Sequence, residues 1–191
     1  MSSILLAGPA VEPITLGDAK HFLRVEHDDD DDIITALIAG SRIHVETQTR
    51  RALITQSWRL TRDLWPETGC VPLLPVPVKT LDAVRVYKSD GTTLALDLAG
   101  FTLDKNDAPA RLSFIHGVPP APARRAAGIE IDISCGYGNA GANVPEPLRQ
   151  AIRLLVAHWY ENRGLIAAGS AVAVLPQSVA ALIAPYRVLS L

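Results

Sequence analysis

Apolar side chains recur with a helical period along residues 144–164, VPEPLRQAIRLLVAHWYENRG. Leu148, Ile152, Leu155 and Trp159 stand at i, i+4, i+7 and i+11, and Ala151 and Val156 widen the stripe. This is the longest clean helical pattern in the chain. Asn143 is placed as its N-cap, with Pro145 and Pro147 in the first turn, where a missing N–H costs nothing. Glu146 and Arg163 match the two ends of the helix dipole, and Gly164 supplies the stop. Two helices are predicted near the start of the chain. In residues 13–24, Thr15 is the N-cap and Asp18 the N3 residue of a capping-box variant, and Leu16, Ala19 and Leu23 form a stripe with Phe22 beside it. The second helix runs from about Asp31 to Thr49, with Ile33, Ile34, Leu37, Ile38, Ser41 and Val45 as its stripe.

At Leu53 the period changes. LITQSWRLTRD reads as a strand, and the three prolines between Val71 and Thr80 make that stretch extended edge or loop chain. Leu81–Tyr87 alternates, and Ser89-Asp90-Gly91-Thr92 supplies a turn. Thr93–Leu96, Phe101–Leu103 and Arg111–Phe114 are short strand candidates, and Val118–Arg125 is a surface loop. The strictest alternation is in residues 128–136, where Ile129, Ile131 and Ile133 fall on one face and Glu130, Asp132 and Ser134 on the other. The order helix, helix, strands, long helix predicts an α+β fold. A helical bundle is formed by both ends of the chain (residues 13–52 and 139–184). A small antiparallel β domain, 53–138, is inserted between helix 2 and the long C-terminal helix, and 185–191 is a C-terminal tail.

The 191 residues are enough for a sizeable core, and the formal net charge of −2 lacks the basic excess of a strong nucleic-acid binder. Cys70 and Cys135 stand far apart in no paired motif, so they read as buried thiols. The N-terminus has no basic region ahead of its short apolar run, unlike a signal peptide. Leu165–Ala184 is uncharged, but Gly169, Ser170, Pro176, Gln177 and Ser178 break it, so no membrane span is expected.

Motifs for chemistry are sparse. The aspartate run Asp28–Asp32 lacks the glycine and glutamate of a calcium loop, because Ile33 and Ala39 occupy those positions; it reads as an acidic lead into the second helix. Gly136-Tyr137-Gly138-Asn139-Ala140-Gly141 matches G-x-G-x-x-G between a strand and a helix. No strand follows that helix, and Glu161, the acidic residue about 20 positions on, lies within it, so a glycine turn is expected rather than a dinucleotide site. His21, His27, His44, His116 and His158 form no metal-ligand spacing, and there is no nucleophile elbow or P-loop. No catalytic residue, cofactor or metal is assigned. After Gly164 the apolar tail contains a short helix, with Val179, Leu182 and Ile183 on one face and Pro185 ending it. Two readings stand for it: a final helix folded back on the bundle, or an arm that docks on a partner protein.

Residues 12–51, EPITLGDAKHFLRVEHDDDDDIITALIAGSRIHVETQTRR, resemble the opening of the head–tail connector (adaptor) proteins of long-tailed phages and gene transfer agents. LPVPVKTLDAVRVYKSDG resembles their Pro-rich strand and hairpin, and CGYGNAGANVPEPLRQAIRLLVAHWYENRG with the later ALIAPYR their closing helices. Asp97–Arg125 is the least typical part. The resemblance implies a structural virion protein at the head–tail junction, present in the host cytoplasm before assembly, and not an enzyme. Its implied partners are the portal protein, a stopper or other tail-completion protein, and further copies of itself in a ring, commonly twelvefold. Helices form that ring, and DNA passes through its channel without sequence-specific binding. In such proteins the C-terminal segment helps engage the portal, which here points to Leu175, Pro176, Val179, Leu182, Ile183, Tyr186 and Arg187. The alternatives are a nucleotide-binding enzyme using Gly136–Gly141 and a generic soluble interaction module.

Overall fold

The computed structural model describes residues 2–162 and 176–189. The fold is α+β. The chain divides into two compact units, Met1–Ala10 with Thr55–Tyr137, and Val11–Ile54 with Gly138–Leu191.

The second unit is helical. α1 (Leu16–Leu23) starts on the capping box: Asp18 N–H donates to Thr15 Oγ1 at 3.0 Å, and Thr15 N–H donates to the Asp18 carboxylate at 3.1 Å. α2 (Asp31–Thr49) packs on α1 and on α3 (Glu146–Glu161). α2 buries Ile34, Ile38, Ser41, Arg42, Val45 and Thr49, but Ile33 is 43% exposed. Ile33 is one residue off the buried i, i+4 line, and 100° of rotation turns it to solvent. The guanidinium of Arg42 lies between Glu12 and Glu46, at 2.8 Å from each. Glu46 also accepts from Leu53 N–H, so the ion pair ties α2 to the chain that follows it.

α3 buries Leu148, Ala151, Ile152, Leu155 and Val156, while Trp159 at the end of the stripe is half-buried, edge-on to His44. Its start differs from the expectation. Pro145 is the N-cap residue, and Asn143 ends a preceding 3-10 turn, where its side-chain oxygen accepts from Ala140 N–H. The substitute for a side-chain cap is Pro145 itself, whose carbonyl accepts from Leu148 and Arg149 N–H. The helix ends at Glu161 with Asn162 as its cap; Arg163 and Gly164 lie outside the described residues.

The first unit is built on β8 (Ile129–Cys135), the middle strand of a five-stranded antiparallel sheet. The sheet also contains β1 (Ser2–Ala7), β2 (Gln56–Arg62), β4 (Val78–Tyr87) and β5 (Thr93–Ala95), in the order β1-β2-β8-β4-β5. A second sheet contains β3 (Cys70–Leu73), β7 (Ala110–Phe114) and β6 (Phe101–Asp104), in that order. Pro72 falls in β3, at the edge of its sheet, where a missing N–H breaks no ladder. The Asp-Gly turn lies between β4 and β5, with Gly91 at φ 81° and Asp90 accepting from Thr92 N–H. Isoleucines 129, 131 and 133 are fully buried, as are Leu60, Val71, Leu73 and Leu112. Trp65, Phe101 and Phe114 form an aromatic cluster, with Trp65 and Phe114 edge-on at 5.2 Å between centroids. Cys70 is half-buried, Cys135 is buried, and neither forms a disulfide.

Two features of this unit are absent from the sequence reading. The N-terminal residues form β1, paired to β2 from Ser2↔Thr61 to Ala7↔Ser57. The predicted strand at Leu53 begins later, at Gln56, and Leu53 and Ile54 are buried in the helical unit instead.

Candidate docking surface

The segment nominated for docking is α4 (Gln177–Ile183), which runs into a 3-10 turn, Ala184–Tyr186. Pro176 precedes α4, and the Pro176 carbonyl accepts from Ala180 N–H. Pro185 falls in the turn, where it cannot extend the helix. α4 packs on α3 and α2 of its own unit. Val179 and Ile183, four residues apart, are both fully buried there, and Val188 is 7% exposed.

Polar contacts tie the chain after α4 to the end of α2. Arg51 Nε donates to the Tyr186 carbonyl at 2.7 Å, Val188 N–H donates to the Thr49 carbonyl at 3.1 Å, and Arg187 Nη2 donates to Gln48 Oε1 at 2.9 Å. The seven nominated residues are therefore split. Val179 and Ile183 face inward. Pro176, Leu182 and Tyr186 are half-buried, and Arg187 is exposed. Leu175 lies outside the described residues.

The glycine turn has its own structural explanation. A Cβ on Gly138 would sit 2.6 Å from Asn143 Cβ, and one on Gly141 would run into the Pro13 carbonyl. Both glycines thus make room for protein atoms, not for a pyrophosphate. Five residues beyond the last glycine, the first turn of α3 presents Glu146, paired with Arg149 and Arg153 at 2.5 and 2.6 Å. The hydrogen bond from Arg153 is the main reason the Glu146 carboxyl sits below its ordinary pKa. An anion at this helix start would meet a carboxylate already in place.

The aspartate run is also occupied. Lys20 Nζ reaches Asp28 at 2.6 Å and Asp31 at 2.7 Å, and the Lys20 hydrogen bond lowers the Asp28 pKa. Asp30 accepts a short hydrogen bond from the Tyr160 hydroxyl, which brings the run to the end of α3. Among the described residues no three His, Cys, Asp or Glu side chains are placed to hold a metal ion. A shallow cavity of about 180 Å³ beside Glu12, Ile14 and Ile38 is smaller than the roughly 300–1,000 Å³ of a typical ligand site. Among the described residues no helix is long and apolar enough to cross a membrane.

A charge cluster that sequence reasoning missed lies on the polar face of β8. Glu130 and Asp132 are 8% and 7% exposed. Asp132 accepts from Arg59 Nε at 2.7 Å, Arg59 Nη2 at 2.9 Å and Arg85 Nη1 at 2.6 Å. Glu130 accepts from the Tyr87 hydroxyl at 2.9 Å and lies 3.3 Å from Arg59. Arg124 stacks on the Tyr87 ring at 3.8 Å. The Arg59 hydrogen bonds, helped by Arg85, hold the Asp132 carboxyl below the usual carboxylate range, and Asp132 in turn raises Arg59. The signal was present in the alternation of residues 129–134, but the partners stand 73 and 47 residues away on β2 and β4. Two cations against two carboxylates, without a nucleophile or an open cavity, make a structural cluster.

Residues 13–87 match the family model described as phage gp6-like head-tail connector protein. A structure of the neck of an empty gene transfer agent particle, computed with C6 symmetry, contains a chain 25% identical to this one at a TM-score of 0.85, covering 100% of this chain and 97% of that one. A chain from the neck of a native particle, computed with C12 symmetry, is 28% identical at a TM-score of 0.76, covering 98% of this chain and 97% of that one. A chain from the native gene transfer agent virion, 24% identical with a TM-score of 0.84, has the same fold over 100% of this chain. A search of curated protein sequences finds no match. Residues 13–87 thus resemble phage gp6-like head-tail connector proteins, and the whole chain shares the fold of chains from gene transfer agent necks.

Proposed function

We propose that this protein forms a ring beneath the portal at the capsid vertex, extends the DNA channel and joins the capsid to the stopper or tail. The supporting observation is the likeness over the whole chain, both units in order, to a chain from a gene transfer agent neck. The C12 symmetry of a second such neck favours a ring of twelve copies of this chain. A ring repeats one heterologous contact around a closed axis. The formal charge of −2 suits a channel through which DNA slides, since phosphate contacts would add affinity and drag.

In this reading the C-terminal segment meets the portal. Val179 and Ile183 hold α4 on its own bundle, and Pro176, Leu182, Tyr186 and Arg187 are the described residues offered outward. Tyr and Arg are favoured at the centre of protein interfaces.

The test is loading on the portal ring of the protein's own particle, full-length chain against a chain cut after Gly164, with the mass of the complex recorded. Loading of the full-length chain alone, at a fixed multiple per portal, supports both the connector role and the docking segment. Equal loading of the cut chain keeps the connector and removes the docking segment. Absence of loading by either removes the connector reading.

A further inference from the structure

The five-stranded sheet has two open edges, and they are unlike. Among the described residues β1, at one edge, pairs only with β2, and β5, at the other, pairs only with β4. All nine residues of the two strands are exposed, six in β1 and three in β5. Natural edge strands are usually protected by lysine, proline or a covering element. β1 reads SSILLA and β5 reads TLA, with no charge and no proline in either. Ile4, Leu5 and Leu6 are 53, 46 and 47% exposed, and Leu94 is 38% exposed.

The register places these side chains. Ser3 pairs with Leu60 and Leu5 with Trp58; Leu60 and Trp58 pair with Ile131 and Ile133 of β8. On the other side Leu94 pairs with Val86, which pairs with Ile129. Leu5 and Leu94 therefore lie on the same face of the sheet as the three buried isoleucines. The middle of that apolar face is closed, and its two ends run out into solvent. Every neighbouring pair in the sheet is antiparallel, so with five strands β1 and β5 point the same way.

We propose that β1 of one copy pairs with β5 of the next as parallel strands, so that the sheets of neighbouring subunits run on into one another. This inference rests on the ring reading above and adds a strand contact to whatever the helices contribute. A second copy is the occupant that fits, because a head-to-tail contact needs two different surfaces on each chain. Joining β1 to β5 covers both open edges at once and brings Leu5 or Ser3 beside Leu94 on one apolar face. A strand donated by another protein would leave one edge bare. With β5 only three residues long the contact is well below the roughly 1,000 Å² of a stable pair, so it holds in a closed ring and not in a free dimer.

The experiment uses the full-length chain with Cys70→Ser, to remove the half-buried thiol, and carrying Leu94→Cys with either Ser3→Cys or Leu5→Cys. The two pairs cover both registers. Each chain is loaded on the portal of its own particle and treated with a short bis-maleimide. The expected result is a ladder of products at successive multiples of the chain mass for at least one pair, and none for the single-cysteine chains. Loading without a ladder for either pair overturns the strand contact and leaves the connector role standing. A cross-link from β1 to a different protein overturns it in favour of another occupant. Failure of the unmodified chain to load overturns the ring reading and this inference with it.

Discussion

Ile183→Ala tests whether α4 is a separately held element. A seven-residue helix is too short to persist alone, so α4 exists through its packing. Its inward face is Val179 and Ile183, both 0% exposed. Truncating a fully buried isoleucine to alanine costs about 2–5 kcal/mol. The three hydrogen bonds of Arg51, Arg187 and Val188 contribute about 1 kcal/mol each and remain in the variant. If α4 opens by itself, a loss of about 3 kcal/mol raises its open population roughly a hundredfold, at 1.4 kcal/mol per factor of ten. Hydrogen exchange read by mass spectrometry should then show the amides of 180–184 and of Tyr186 exchanging about a hundred times faster, with those of Leu155 in α3 and Val45 in α2 unchanged. Equal acceleration in all three places would refute the reasoning, because α4 would then be an integral part of the bundle. Unchanged exchange in α4 would mean that Ile183 does not anchor it. In the portal-loading assay Ile183→Ala should load as well as the natural chain, whereas Tyr186→Ala with Arg187→Ala should load poorly.

Asp132→Ala should destabilise the β unit by about 3 kcal/mol, since it leaves Arg59 and Arg85 half-buried with Glu130 as their remaining carboxylate. The matching change at the exposed Asp107–Arg111 pair should cost under about 0.5 kcal/mol, and urea midpoints of the two variants separate the cases. The Asp132 pKa is lowered by folding, so its contribution is fully present above the ordinary aspartate value of 3.8 and is lost as pH falls through the folded value. The gap between natural and Asp132→Ala midpoints should therefore hold from pH 7 to 5 and close below pH 3.8; a gap that widens in acid would contradict the assignment. Gly138→Ala should cost about 1–3 kcal/mol by forcing Asn143 aside, and Asn143→Ala should partly restore the loss in the double variant. Thr15→Ala should lower helical-unit stability by about 1 kcal/mol, measured as a thermal midpoint, through loss of the capping box.

The legible parts of the chain were those written in local periodicity. α2 spans Asp31–Thr49, and α1 begins on Thr15, because 3.6-residue spacing and cap chemistry are short-range signals. β8 was legible from its alternation for the same reason. β1 was not, because SSILLA carries four adjacent apolar residues and no alternation, and it becomes a strand only by pairing with β2, 50 to 59 residues later. Asn143 was misplaced as a cap because an asparagine before a proline-rich start satisfies the local rule for two different turns, and the 3-10 turn took it. Of the docking segment, the short helix and its Val179–Ile183 face were readable. Which partner that face meets was not, since an apolar stripe has the same pattern against its own bundle as against another chain.

The charge cluster and the open edges belong to one argument about register. A strand that slips by one residue turns all its side chains to the other face. On β8 the isoleucine face would tolerate a shift more readily, since Trp58 and Leu60 of β2 and Leu81, Val84 and Val86 of β4 attract it without direction. The polar face would not. Asp132 takes Arg59 from β2 and Arg85 from β4, so one carboxylate fixes the alignment of three strands at once. Such a cluster adds little net stability over apolar residues of the same size. What it does determine is where Leu5 and Leu94 emerge, because β1 aligns on β2 and β5 aligns on β4. For a sheet whose edges stay inside one chain, that accuracy would have no further consequence. For a sheet whose edges meet the next copy around a ring, a one-residue slip would put polar side chains opposite Leu5 and Leu94 at every junction. Asp132→Asn, which keeps shape and weakens the ion pairs, should therefore reduce the β1–β5 cross-link on the portal more than its effect on folding alone would require.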